Sequence, residues 1–186
     1  MTGLRALAAG AVLLTALLPV PTCPTPDPAG APRLVDDGVV VAGDGSIPPG
    51  LTVSPFDDSH PAVALLEPGL RWAVRAAAAE AAAAGVEVRI TSGWRSPELQ
   101  QHFLDDAVAG YGSLAEARRW VAAPEVSRHV TGAAVDIGGP AAAEWMVRYG
   151  PRFGLCRVYA NEWWHFERVA APDGSCPPLL PDATAG

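Results

Sequence analysis

Three short segments concentrate side chains that could carry chemistry: TSGWRSPELQ at 91–100, SRHVTGAAVDI at 127–137 and NEWWHFE at 161–167. In the second segment, His129 and Asp136 stand on either side of Gly132, which allows the chain to bend. In the third, Glu162 precedes His165 by three residues. Catalytic zinc takes three protein ligands, from imidazole nitrogens and carboxylate oxygens, and keeps a fourth position for water. His129, Asp136 and His165 are therefore candidate ligands of one zinc ion.

The neighbours of these residues indicate burial. Asp136 stands in the apolar run AAVDI, and His165 stands in WWHF. A buried carboxylate is costly unless it is paired or bound to a metal. Each feature also has an ordinary structural explanation: His129 as a loop residue, Asp136 as a turn cap and the aromatic run as a core strand. The residues alone leave both interpretations open.

Glu162 is the candidate general base. A carboxylate near a ligand histidine can take the proton of the attacking water, as the glutamate of H-E-x-x-H does in other metallopeptidases. That motif is absent here, and such a carboxylate is also a common hydrogen-bond partner that orients the ring. Both roles stay open for Glu162. Glu167, two residues after His165 on the same strand face, is either such a partner or a solvated carboxylate.

Composition excludes several classes of protein. The 186 residues carry 13 basic and 20 acidic side chains, for a net charge of -7, and every basic one is arginine. A lysine Schiff base or a P-loop is therefore excluded. An acidic chain without a basic run is a poor binder of nucleic acid, so no nucleic-acid partner is expected.

The first thirty residues are typical of a secretion signal and a proline-rich linker. Arg5 supplies the positive start, residues 6–20 are apolar, and prolines follow. The apolar run falls short of the roughly 20 residues that a membrane-spanning helix needs. Cys23 lies where the signal ends, and either it carries a lipid anchor to the membrane or the chain is cleaved nearby and released. In both cases the protein is expected to be exported, outside the cell or at the cell wall.

The other two cysteines, Cys156 and Cys176, are predicted to form a disulfide, because an exported chain meets an oxidising compartment. A bridge that closes about twenty residues stabilises by about 3 kcal/mol in the chain-entropy model. It would tie the C-terminal tail, residues 173–186, to the domain. Zinc binding by these cysteines is disfavoured, because the close CxxC spacing is absent.

Helices and short strands follow one another without a regular βαβ pattern, which predicts an α+β fold in one domain over residues 61–172. Residues 31–60 are an irregular lead-in with one strand at Gly38–Ala42. Ser96 before a proline marks a helix start, and Ser113 opens an S-L-A-E capping box. Helices are predicted over 67–84, 97–110, 114–123 and 140–149, and strands over 86–92, 133–137 and 163–169.

The order of the motifs carries a family resemblance. SGxRS and a glutamine come first, then SxHxxGxAxD, and about thirty residues later ExxH. The residues that match are Ser92, Gly93, Arg95, Ser96, Gln100, Ser127, His129, Gly132, Ala134, Asp136, Glu162 and His165. This pattern resembles the VanY-type D-alanyl-D-alanine carboxypeptidases, a family of zinc peptidases, over about residues 60–170. Trp94 stands where that family more often has tyrosine.

The resemblance implies the hedgehog/DD-peptidase fold, a small α+β domain whose central antiparallel sheet is flanked by helices. It implies one zinc ion, held by His129, Asp136 and His165. It also implies Glu162 as general base and acid, and Arg95 as the cation near the scissile carbonyl or the substrate carboxylate.

Two further residues and the function follow from the same resemblance. Ser127 and Gln100 are implied to bind substrate, with the orientation of Arg95 as the alternative role of Gln100. The implied function is an exported zinc peptidase of peptidoglycan stem peptides, a D-Ala-D-Ala carboxypeptidase. A peptidoglycan endopeptidase on the same zinc site is the alternative among enzymes, and a non-catalytic module that binds the cell wall is the alternative outside them.

Overall fold

The structure is a computed structural model that describes residues 43–185. The predicted secretion signal, Cys23 and the predicted strand at Gly38–Ala42 lie outside the described residues. Within residues 43–185, no helix is both long enough and apolar enough to cross a membrane.

Four short antiparallel strands form one sheet. They are β1 (Arg89–Ser92), β2 (Ala134–Gly138), β3 (Leu155–Arg157) and β4 (His165–Arg168), in the spatial order β1-β2-β4-β3. The three strands predicted within residues 43–185 are confirmed, although the first and the last are shorter than expected. The sequence does not predict β3, because three residues are too few to produce a periodic signal.

Five helices accompany the sheet in the part of the chain that the structure describes. They are α1 (Pro61–Ala64), α2 (Pro68–Ala83), α3 (Pro97–Tyr111), α4 (Leu114–Ala117) and α5 (Pro140–Tyr149), with 3-10 turns at Gly150–Phe153 and Ala183–Ala185. The three long helices each begin with a proline, whose missing N–H is not needed in the first turn. The hydroxyl of Ser96 caps α3 by accepting from the Leu99 N–H at 3.1 Å. The Ser113 hydroxyl caps α4 in the same way, which confirms both serine caps, whereas the Glu116 carboxylate accepts from Arg119 and does not complete the predicted capping box.

The helix predicted over 114–123 is wrong beyond its first turn. α4 ends at Ala117, and the chain then turns. The carbonyl of Arg119, which would have continued the helix, accepts instead from the Asn161 side-chain amide at 2.8 Å and the Ala183 N–H at 3.4 Å. Contacts with distant segments therefore override the local preference for helix.

The main core lies between one face of the sheet and helices α2 and α5. Ile90, Ile137 and Phe166 from three strands are fully buried there against the alanine-rich face of α2. Side chains alternate between the two faces of a strand. Asp136, between Val135 and Ile137, therefore faces away from this core.

The C-terminal tail is tied to the sheet. A disulfide joins Cys156 of β3 to Cys176, which confirms the predicted pairing. Further along, the Leu180 N–H donates to the Val158 carbonyl at 2.9 Å, and the Ala160 N–H donates to the Leu180 carbonyl at 2.8 Å. The tail thus packs beside the segment that connects β3 to β4.

Gly132 makes the bend that precedes β2. Its φ of 72° lies in the left-handed region, and a Cβ at this position would stand 2.5 Å from the Leu65 carbonyl oxygen. Its N–H donates to the His129 carbonyl at 3.0 Å, and its carbonyl accepts from the Glu67 N–H at 2.8 Å. Hydrogen bonds at both its N–H and its carbonyl therefore hold Gly132 in a backbone conformation that only glycine adopts easily.

We expect Gly132→Ala to lower the free energy of unfolding by about 2 kcal/mol or more, because left-handed backbone strain and the clash with Leu65 add together. Urea or thermal unfolding measures the change. Gly110→Ala is the control, since Gly110 lies within α3 and an added Cβ meets nothing within 4 Å. That variant should be as stable as the wild type or more so. Equal stability of the Gly132 variant and the wild type would contradict this packing.

Candidate metal centre

Strand pairing brings two candidate ligands together. Asp136 of β2 lies directly opposite His165 of β4 in the antiparallel register, and both side chains lie on the face away from the main core. His129 comes from the turn before β2, which Gly132 bends. The three candidate ligands are buried, with between 3% and 6% of their surface exposed.

The ligand atoms of these three residues converge. One atom from each lies within 4.8 Å of the other two. His129 Nε2 is 3.4 Å and His165 Nδ1 is 3.2 Å from Asp136 Oδ1. Two imidazole nitrogens and one carboxylate oxygen are the donor set of a three-ligand zinc site. The residues present therefore fit zinc.

Each histidine ring is fixed by a hydrogen bond at its other nitrogen. His129 Nδ1 lies 2.8 Å from the Gly93 carbonyl oxygen, which can only accept, so Nδ1 carries the proton and Nε2 faces Asp136. His165 Nε2 lies 3.1 Å from Glu167 Oε1, and its Nδ1 faces Asp136. The two rings thus turn different nitrogens toward one carboxylate, in the orientations that metal binding needs.

Charge balance keeps Asp136 anionic. Burial alone would raise its pKa, but the two histidines and Arg95 hold the pKa well below its usual value of 3.8. Burial, together with the charge of Arg95, lowers the pKa of His129. Burial also acts to lower the pKa of His165, yet hydrogen bonds to Asp136 and Glu167 raise it to about 9. A metal ion at His165 would therefore displace a proton.

Arg95 lies against the ligand carboxylate. Its Nη2 donates to Asp136 Oδ2 at 3.0 Å, its Nε to Ser92 Oγ at 2.7 Å and its Nη1 to Gln100 Oε1 at 3.1 Å. Gln100 is held in turn by donating to the Ala122 carbonyl at 2.8 Å. Gln100 thus orients Arg95, while its contact with substrate stays a prediction. Within residues 43–185, these bonds leave two of the five guanidinium N–H groups for a ligand.

Glu162 lies at the edge of the ligand set. Its Oε2 is 3.7 Å from His165 Nδ1, and the side chain is buried. Burial raises its pKa to about 7, so the group can exchange a proton near neutral pH, as a general acid–base catalyst must. Its Oε1 is buried and has no hydrogen-bond partner among residues 43–185. A buried carboxylate oxygen left without a partner is the kind of exception that functional sites show.

The ligands open onto a cleft of about 1010 Å³. Its lining includes residues 45–52, Phe103 and Tyr111 of α3, Trp120, and the buried Ser127. Small-molecule sites occupy about 300–1,000 Å³. The cleft is therefore large enough for a ligand several residues long.

Glu167 is the residue whose role the sequence leaves open. It is 4% exposed, so the solvated alternative is wrong. Its Oε1 faces His165, and its Oε2 accepts from Arg128 Nε at 3.0 Å. The sequence signal for this role is that Glu167 stands two residues after His165, so that both side chains lie on the same face of the strand. The sequence near Arg128 and Tyr159 does not predict their contacts with this site. The ring centre of Tyr159 lies 5.1 Å from that of His165.

Comparison with known sequences points to one family. A family model described as VanY: D-alanyl-D-alanine carboxypeptidase matches residues 64–171, which is more than half of the chain. A D-alanyl-D-alanine carboxypeptidase of Enterococcus faecalis (strain ATCC 700802 / V583) is 37% identical in a match that covers 48% of this chain and 42% of the relative. The chain thus spans less than half the length of this curated relative.

Solved structures share the fold. A mutant of the vancomycin resistance D,D-pentapeptidase VanY from a VanB-type cassette, in complex with Zn(II), has a TM-score of 0.52 and 30% identity, covering 55% of this chain and 71% of its own. VanYB in complex with D-alanine-D-alanine has a TM-score of 0.53 and 28% identity, covering 58% and 73%. The D,D-dipeptidase VanXYg has a TM-score of 0.54 at 24% identity, covering 66% and 57%, and supports the fold alone. The predicted α+β fold is confirmed.

We expect Glu167→Gln to weaken zinc binding by about 10- to 100-fold, because the carboxylate fixes the orientation of the His165 ring. Competition with a chromophoric chelator measures the dissociation constant. Glu125→Gln is the control, since Glu125 is an exposed glutamate. An unchanged zinc affinity in the Glu167 variant would show that the ring needs no support from this carboxylate.

Proposed function

We propose, given that this chain belongs to the VanY family of D-alanyl-D-alanine carboxypeptidases, that it is a zinc peptidase that removes the terminal D-alanine from peptidoglycan stem peptides. The observation that carries the proposal is the buried set of His129, Asp136 and His165 with Glu162 beside it. A module that only bound the cell wall would have no need of a proton-exchanging carboxylate at this place.

His129 Nε2, an oxygen of Asp136 and His165 Nδ1 would hold the zinc ion. When bound, zinc polarises the scissile carbonyl and acidifies the attacking water. The hydrogen bonds that the two histidine rings donate to the Gly93 carbonyl and to the Glu167 carboxylate keep the rings turned toward the ion. The site is thereby organised before the metal arrives.

Glu162 moves the proton. Its anionic form takes a proton from the attacking water, and its protonated form then gives that proton to the departing amine. Burial raises the pKa of Glu162 above its usual value, which favours proton exchange near neutral pH. Its Oε1, which has no partner among the described residues, is free to receive the proton.

Arg95 provides the cation of the site. All basic side chains in this chain are arginine, and the planar guanidinium can form paired hydrogen bonds with a carboxylate. The two N–H groups that its neighbours leave available suit either the terminal carboxylate of the substrate or the oxygen that becomes negative during attack. The first of these two roles would make the protein a carboxypeptidase, whereas the second is compatible with an endopeptidase as well.

Two further features bear on the substrate and on location. The cleft, with Ser127 in its lining, is large enough for a stem peptide rather than a free dipeptide alone. Export is part of the proposed function, because the N-terminal thirty residues have the pattern of a secretion signal and the disulfide suits an oxidising compartment. The exported protein is either attached to the membrane through a lipid at Cys23 or released after cleavage nearby.

We expect Glu162→Gln to lower the rate of D-Ala release by about 10²- to 10⁴-fold, because the amide cannot take or give the proton. Zinc stoichiometry, measured by metal analysis, should stay at the wild-type value. Glu144→Gln, a change at an exposed position of α5, should leave the rate unchanged. A wild-type rate in the Glu162 variant would refute its role as base.

We expect a chelator to abolish cleavage of purified muropeptides, and added zinc to restore it, because zinc activates both water and carbonyl. Mass spectrometry should show the loss of a single alanine from the stem peptide. Cleavage within the stem or cross-bridge would instead identify an endopeptidase. Binding to cell wall without any cleavage, by protein that holds no zinc, would identify a binding module.

A further inference from the structure

The C-terminal strap, residues 176–185, lies against the loop that carries Glu162. That loop, residues 158–164, connects β3 to β4. Three kinds of contact hold the strap in place: a disulfide at its start, backbone pairing in its middle and a buried carboxylate near its end.

The disulfide fixes the start of the strap. Cys156 is 1% exposed and pairs with Glu167 across β3 and β4, whereas Cys176 lies at the surface. The bridge therefore joins an exposed segment to the strand that lies next to β4. Cys156 lies opposite Glu167, whose carboxylate contacts His165, so the strap is joined to the strand pair that supports this ligand.

Leu180 pairs with the loop in a short parallel bridge. Its N–H donates to the Val158 carbonyl at 2.9 Å, and its carbonyl accepts from the Ala160 N–H at 2.8 Å. These two bonds restrain the loop backbone up to two residues before Glu162.

Asp182 anchors the far end of the strap and is 7% exposed. Its Oδ1 accepts from the Thr184 N–H at 3.0 Å and hydroxyl at 2.6 Å, and its Oδ2 accepts from Arg119 Nε at 2.8 Å. The carbonyl of Arg119 accepts in turn from the side-chain amide of Asn161 at 2.8 Å. Asp182 is thus connected to the residue directly before Glu162.

Glu162 depends on such support because its own carboxylate is weakly held. Its Oε2 lies 3.7 Å from His165 Nδ1, which is too far for a hydrogen bond. Its Oε1 has no partner in the part of the chain that the structure describes. The backbone of the loop therefore sets where the carboxylate stands. A displacement of about 1 Å can cost about 100-fold in rate.

We infer that Asp182 is a positioning residue, which holds the loop so that Glu162 keeps its place beside the ligands. It acts through the ion pair with Arg119, whose carbonyl binds Asn161. The inference rests on the proposed function, because that function makes Glu162 the base.

Asp182→Ala tests the inference against a matched control, Asp173→Ala. Asp173 lies in the same tail and accepts from the Ser175 N–H at 2.9 Å and hydroxyl at 2.7 Å, in the same kind of turn. We expect Asp182→Ala to lower kcat on a peptide ending in D-Ala-D-Ala by about 10- to 100-fold. KM and the zinc dissociation constant should change by less than about twofold. Asp173→Ala should keep the wild-type kcat.

Asp182→Asn is the second variant, of nearly the same shape, and it keeps the test open if the alanine variant does not fold. It preserves the turn with Thr184 but removes the charge that pairs with Arg119. Its kcat should lie between those of the wild type and Asp182→Ala. A wild-type kcat in the folded variants, or an equal loss of kcat and zinc affinity, would overturn the inference.

Hydrogen exchange separates a failure of the inference from a failure of the proposed function. Amides of the loop should exchange faster in Asp182→Ala than in the wild type, and at the wild-type rate in Asp173→Ala, whether or not any peptide is cleaved. A wild type that cleaves no D-Ala-D-Ala peptide contradicts the proposed function. Unchanged exchange of the loop in Asp182→Ala contradicts the inference.

Discussion

Asp136 is a carboxylate buried in the middle of a sheet, and the order of the whole site follows from the need to neutralise it. An uncompensated charge in such a place costs several kcal/mol. The compensating groups come from three separate segments: His129 from a turn, His165 from β4 and Arg95 from the loop after β1. Each of the three is itself held by a further hydrogen bond. A metal ion bound here would bring positive charge to a carboxylate whose charge the protein already compensates.

The same strands must satisfy two opposite requirements. One face of β2 and β4 carries apolar side chains into the core, and the other carries the charged set. A slip of one residue in the register would move Asp136 into the core and Val135 into the site. The pairing of Asp136 with His165 and of Val135 with Phe166 is therefore fixed from both faces at once. The register of β2 and β4 therefore determines both the packing of the core and the geometry of the site.

What the sequence could predict depended on local signals. The helix start at Ser96 and the alternating strands are contained within short windows, and they identified the long elements. The residue types made the three ligands and Glu162 candidates, and the order of three separated motifs, through the family resemblance, supplied their roles and added Arg95. The end of α4 could not be predicted, because the carbonyl of Arg119 is used by residues more than forty positions away in the chain. The contact of Arg128 with the carboxylate beside His165 is equally non-local, and β3 is too short to show a pattern.

The two histidines differ in reach. The nitrogen that His165 turns toward Asp136 is two bonds beyond Cβ, whereas the one that His129 uses is three bonds beyond it. The centre is consequently asymmetric: the ligand nitrogen from the sheet lies nearer to its backbone than the ligand nitrogen from the turn does. The side-chain oxygen of asparagine is as many bonds from Cβ as the ligand nitrogen of His165, and that of glutamine as many as the ligand nitrogen of His129. Asparagine at 129 or glutamine at 165 would therefore place the ligand atom at the wrong distance. For anyone redesigning this centre, the sheet side and the turn side follow different rules of substitution.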